Sequence, residues 1–181
     1  KVYAFEPIKR VYEKLKLNCD FNNYDIVCEE AAVSSYDGRG RIYVPDTEHI
    51  YTVCVNKNII GRNEKVVETE IQTVKLSTYM QERGTPKVDL IKIDVETHEV
   101  EVLKGMEIYL QQMLPTFIIE IVRDTVAQGV ERMLEGKNYL YFKIIENDKP
   151  YLTEHIERCD GGNSNYLICN RGVARNLRLI V

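Results

Sequence analysis

Several things are missing from this 181-residue chain. No run of about 20 apolar residues occurs, which excludes a membrane-spanning helix. Lys and Arg, 24 against 28 Asp and Glu, are scattered rather than gathered into a block, and the net charge is −4. A partner held through its phosphates, a nucleic acid above all, is therefore not expected. The five cysteines, Cys19, Cys28, Cys54, Cys159 and Cys169, are odd in number and form no C-x-x-C pair. Neither a disulfide framework nor a zinc cluster is suggested, and a reducing, cytoplasmic compartment is the expectation. Tryptophan is absent, but tyrosine occurs twelve times and 44% of the chain is hydrophobic, the make-up of an ordinary soluble domain. No signal peptide shows; the first residue is Lys1 rather than Met and already sits in a strand-like run, so the N-terminus reads as cut. The length suits one domain spanning 1–181.

What is present is an alternation of strands and helices. Lys1 to Phe5 is a short β-type run. Pro7 then opens a segment whose Ile8, Val11, Leu15 and Cys19 recur at helical spacing. Tyr24 to Val33 is the next predicted strand. From about 41 to 74 the pattern turns alternating and β-branched, with Gly61 and Asn63 as turn signals, which predicts a small antiparallel insertion. Leu76 to Arg83 reads as a helix ended by Gly84, and Lys87 to Val95 as the most strongly buried strand. Thr97 is placed to cap a helix over HEVEVLKG that ends at Gly105. A buried strand through Thr116 to Val122, a helix over Thr125 to Leu134, and two late strands, NYLYFKIIE and SNYLICN, follow, the last two separated by a loop containing Asp160, Gly161, Gly162 and Asn163. Alternation of this kind predicts an α/β layered fold with a mainly parallel sheet.

The first strand ends on Glu6. In doubly wound sheets ligands bind outside the carboxyl ends of the strands, and an acid there can accept hydrogen bonds from both ribose hydroxyls of a nucleoside cofactor. The alternative is a solvated acid near a helix start, where the helix dipole favours it. The same geometry places a glycine-rich loop roughly 20 residues earlier, so the strand and loop that precede this acid are expected to be missing.

The run VDLIKIDVETHEVEVLKGM, Val88 to Met106, taken with VYAFEP at the start and AAVSSYDGRGRIYV at Ala31 to Val44, resembles the FkbM-type family of S-adenosylmethionine-dependent methyltransferases. The resemblance implies a Rossmann-like class I fold with helices on both faces of the sheet and an antiparallel last strand. It further implies S-adenosyl-L-methionine as cofactor and O-methylation of a small hydroxylated acceptor, a sugar or polyketide-like alcohol. Family members often carry Gly after the D-V-E triplet, where this chain has Thr97.

On that pattern Glu6 would hold the ribose, and Glu30 with Ala31 would lie by the adenine. Asp94, ending its strand, would accept from the cofactor's amino group, hold the acceptor hydroxyl or ligate a divalent ion; a buried acid tied to the following turn is the alternative. Glu96 would face the substrate or stabilise the turn. His98 would take the hydroxyl proton, an imidazole being suited to that near neutral pH, or be a locally bonded first-turn histidine. Glu120, a charge inside an apolar run, would contact substrate or sit in a buried pair. A methyltransferase-like binding module that has lost the cofactor loop is the competing expectation, and a nicotinamide-dependent oxidoreductase a weaker third.

Overall fold

A computed structural model describes residues 1–45, 66–84, 87–158 and 165–181. Its elements, in order, are β1 (Val2–Phe5), α1 (Lys9–Phe21), β2 (Ile26–Glu29), β3 (Ala32–Val33), β4 (Gly38–Pro45), β5 (Val66–Val74), α2 (Leu76–Glu82), β6 (Leu90–Ile93), α3 (Glu99–Lys104), α4 (Glu107–Met113), β7 (Thr116–Glu120), α5 (Asp124–Leu134), β8 (Tyr139–Lys143), β9 (Tyr151–Thr153), β10 (Asn165–Asn170) and α6 (Arg171–Asn176). The expected turns at Gly61 and Asn63 and the loop at 160–163 lie outside the described residues.

The strands form three sheets rather than one mainly parallel sheet: β1-β2, β3-β5-β4 and β6-β7-β10-β8-β9. The pairings β1 with β2, β3 with β5 and β6 with β7 are parallel; β10 runs antiparallel to both its neighbours, as expected of the last strand. Among the described residues β1 pairs only with β2 and β6 only with β7, so each keeps one unpaired edge. The predicted strand over Tyr24 to Val33 is broken at Glu30 and Ala31, and its two parts join different sheets. Hydrophobic content alone carried that run across a bend, because pattern does not record which partner strand each half finds. β4 and β5 pair antiparallel, and residues 46–65 between them lie outside the described residues.

The largest core lies on one face of the five-stranded sheet. There Ile93, Phe117, Ile119, Tyr166 and Ile168 meet Val102 and Leu103 of α3, Leu110 of α4 and Val126, Ala127, Val130 and Leu134 of α5. Because successive strand residues point to opposite faces, Cys169 and Phe142 lie on the other side, where they pack with Ala174 of α6. Helices thus cover both faces of this sheet. The strand buried most thoroughly is β7, not β6, in which Leu90 and Lys92 are exposed. No described helix is long and apolar enough to cross a membrane.

α1 buries Cys19 and half-buries Val11 and Leu15, the stripe its spacing predicts. It starts later than expected: Ile8 is the residue before the first turn and Pro7 precedes it, while Glu6 accepts a 2.7 Å hydrogen bond from the Ile8 N–H. Tyr3 and Phe5 of β1 pack edge-on against Tyr79 of α2, and the Tyr79 hydroxyl donates to Glu29 at 2.8 Å.

Gly105 follows α3 with φ −62, so it is no left-handed cap. Space is what it supplies. A Cβ there would lie 2.1 Å from the Ser34 carbonyl oxygen. At Gly129 the neighbour would instead be the Val100 side chain, 2.6 Å away. Gly105→Ala should therefore lower stability by about 3 kcal/mol, and Gly129→Ala by under about 1.5 kcal/mol, since it also gains helix propensity. Urea midpoints of the two variants check this ordering; equal losses would refute it.

Candidate active site

Two groups of acids form at the carboxyl ends of two parallel strand pairs. At the first, the Glu6 N–H donates to the Glu29 carbonyl at 3.0 Å, which continues the β1-β2 register by one residue and puts Glu6 beside Glu30. Glu30 is exposed and Ala31 half-buried. Burial raises the Glu6 carboxyl above the ordinary range, and the Ile8 N–H partly offsets this. That bond supports the helix-start role for one of its oxygens.

At the second group, Ile93 of β6 pairs with Ile119 of β7, so the next residues, Asp94 and Glu120, stand side by side. Each carboxyl acts on the other's protonation. Lys92 donates to Asp94 at 2.5 Å and chiefly accounts for a depressed Asp94 carboxyl. Glu120 is pushed up, first by burial and then by the charge of Asp94. Glu96 is raised by burial and by Asp94. One pair of adjacent acids thus has its protonation preferences driven apart, the arrangement that assigns one member to hold and the other to exchange a proton.

Glu99 is the functional candidate missed in the sequence. A glutamate in a first helical turn is favoured by the helix dipole and needs no burial, yet Glu99 is 1% exposed. Its Oε1 accepts from the Thr97 N–H at 3.2 Å, and Oε2 is buried with no partner among the described residues. Burial raises its carboxyl, backbone groups of Glu99, Thr97 and Val95 partly offset this, and the charge of Glu120 adds a smaller push upward. A glutamate at the end of K-I-D-V-E-x-x-E, one turn from Asp94, was the available signal.

The loop that carries these acids is strained. Glu96 and Thr97 are consecutive left-handed residues, at φ 51 and 77, and a β-branched residue is a genuine outlier there. Thr97 does not cap α3: the cap position is His98, with no side-chain cap bond. The expected cap failed because a left-handed residue cannot take the extended geometry a cap needs. A glycine, expected at this position from the resemblance, would take this conformation without strain.

His98 points elsewhere. Its Nε2 lies 3.0 Å from the Ser34 hydroxyl, and Ser34 is 1% exposed. Next to it, the Ser35 hydroxyl donates to Glu101, which Lys104 also pairs. Burial lowers the His98 pKa. This bond stitches the segment after β3 to α3, and so connects the Glu6/Glu30 group with the Asp94/Glu120 group through residues 30–34. Two surface cavities, of about 500 and 510 Å³, lie along α5, β8 and β9 and are lined by none of these residues.

Thr97→Gly should stabilise the fold by about 1 kcal/mol, the left-handed penalty less glycine's added chain entropy; a loss in urea midpoint would contradict the strain. The depressed His98 pKa makes the folded chain take up a proton later than the unfolded one. Stability from this group is complete above the unfolded pKa of about 6.5 and falls as pH drops below it. Compared with His98→Gln, the native chain should lose more stability between pH 7.5 and 5.5; parallel urea midpoints would count against this.

The chain matches the family model described as the methyltransferase FkbM domain over residues 1–165. It is 27% identical to a hexuronic acid methyltransferase, AglP, of Haloferax volcanii over 157 residues, 83% of this chain and 60% of that protein. It is 24% identical to the methyltransferase sdnD of Sordaria araneosa, covering 77% of this chain and 64% of the relative. The chain spans somewhat under two thirds of the length of these relatives. The crystal structure of an FkbM methyltransferase from Methylobacillus flagellatus shares its fold with a TM-score of 0.55 at 11% identity, over 93% of this chain and 36% of that one. With most of its length inside that model, the chain belongs to the FkbM methyltransferase domain family.

Proposed function

We propose that this single domain is the core of an S-adenosyl-L-methionine-dependent O-methyltransferase acting on a small hydroxylated acceptor, a sugar or polyketide-like alcohol. The observation that carries the proposal is the set of carboxyls at the ends of β6 and β7, with the buried, unpartnered Oε2 of Glu99 beside them. Carboxyls suit a cofactor that carries an ammonium, a sulfonium and vicinal ribose hydroxyls, so the residues present fit the group. Glu6 would hold the ribose, Glu30 and Ala31 the adenine side, and Asp94 the amino group. Bound there, the cofactor supplies an electrophilic methyl group.

The chain's own residues supply positioning and a proton acceptor. Holding the reactants in near-attack geometry gives much of the acceleration in such displacements. Glu120, whose carboxyl is pushed up by burial and by the charge of Asp94, would take the acceptor hydroxyl proton, while Glu96 would orient the acceptor. His98, engaged by Ser34, holds the loop in place instead of acting as the base. A class I reading would put a further strand between the unpaired edges of β1 and β6.

Those unpaired edges favour one second reading, a methyltransferase-like binding module. Calorimetry with S-adenosylhomocysteine separates the two. Saturable binding that weakens about tenfold or more in Glu6→Ala, the loss of charge-assisted hydrogen bonds, supports the cofactor site; no binding favours the module. With an acceptor found by screening, Glu120→Gln should lower turnover by a factor of about 10² to 10⁴ while leaving S-adenosylhomocysteine affinity within about twofold. Unchanged turnover would remove Glu120 from the chemistry.

A further inference from the structure

Cys19, buried on the inner stripe of α1, and Cys28, half-buried in β2, place their sulfurs 3.8 Å apart. They are separated by nine positions and meet because α1 packs back along β2. Methyl transfer uses neither thiol. We propose that Cys19 and Cys28 form a dithiol modification site that takes a small disulfide oxidant and closes to an intramolecular disulfide bracing α1 against β2.

The geometry suits the chemistry. The sulfurs need to approach by roughly 1.8 Å to reach a bond length of about 2.05 Å, a movement within reach of side-chain rotation at a half-buried strand position. The two thiols also differ in access. Cys28 is the one an oxidant can reach, and Cys19 stands behind it as the resolving group. In the first step the Cys28 thiolate attacks one sulfur of oxidised glutathione, forming a mixed disulfide and releasing one glutathione thiolate. In the second the Cys19 thiolate attacks the Cys28 sulfur, forming the internal disulfide and releasing the other. Two protein thiols lose two electrons and two protons, and one glutathione disulfide becomes two thiols.

Burial, followed by the contact with Cys19, raises the Cys28 thiol, which leaves little thiolate at neutral pH and makes the pair slow to react. In a reducing compartment it is therefore a dithiol at rest. Closing it braces the unit that carries Glu6 and Glu30, because α1 starts just after Glu6 and Cys28 stands two residues before Glu30.

The test uses the full chain with oxidised and reduced glutathione at pH 8, trapped by alkylation and digested with chymotrypsin without reduction. Phe21 and Tyr24 lie between the two cysteines and no Lys or Arg does, so chymotrypsin yields two peptides held together only by the bond. Expected are a Cys19–Cys28 linked pair and a disulfide equilibrium favoured about tenfold or more over that of the urea-unfolded chain. In Cys19→Ser, Cys28 should stop as the mixed glutathione disulfide. Linkage no more favourable folded than unfolded overturns the proposal, as does a native chain that stops at the mixed disulfide or stays fully reduced. These readouts involve no cofactor, so they stand or fall separately from methyl transfer.

Discussion

The Ser34 carbonyl oxygen lies so close to Gly105 that a single methyl group there would collide with backbone, and on this approach the arrangement of the rest depends. Ser34 is the first residue after β3, and Gly105 ends α3. Their contact lets the Ser34 hydroxyl reach His98 and the Ser35 hydroxyl reach Glu101. The Ser77 N–H also donates to the Gly105 carbonyl at 3.0 Å, so α2 is tied to the same point. Through it the small β1-β2 sheet and the five-stranded sheet present their carboxyl ends in a linked way, although no strand described here joins them.

From that linkage follows the electrostatic character of the end at which these parallel strands finish. Parallel pairing brings acids together wherever each strand ends on one, and here both pairs do. Water screens Glu30, which is exposed, but Glu99 and Glu120 are withdrawn from it and rise in pKa. Lys92 neutralises only Asp94 at close range. Such a group is costly in an empty protein and is relieved by protons or by a cationic ligand. The strained Glu96–Thr97 turn belongs to the same account: the buried Glu99 carboxyl holds that turn by accepting from the Thr97 N–H. Strain persists when its surroundings over-determine it.

Periodicity was enough to locate most elements, because it depends on neighbours three, four or two residues away. The stripe Val11, Leu15 and Cys19, the buried face of α5 and the alternating Ile42 and Val44 all face inward as spacing requires. Local chemistry also explained why Gly84 and Gly136 follow helices, since both take positive φ. Gly105, written the same way at a helix end, serves a different purpose that no local pattern distinguishes. Thr97 looked like a cap for the same reason: its side chain suits the role, while its backbone conformation is imposed by Glu99 and the packing of α3.

What the amino-acid order determined alone was the succession of elements, the acids at strand ends and the motif that marks the family, since each is a property of short stretches. Only the tertiary structure decided that Tyr24 to Val33 divides between two sheets, that His98 serves Ser34, that Glu99 is buried with an unmet oxygen, and that Cys19 meets Cys28. Each of those depends on a partner far away in sequence or on a packing direction, and burial and proximity are fixed only when the elements close on one another.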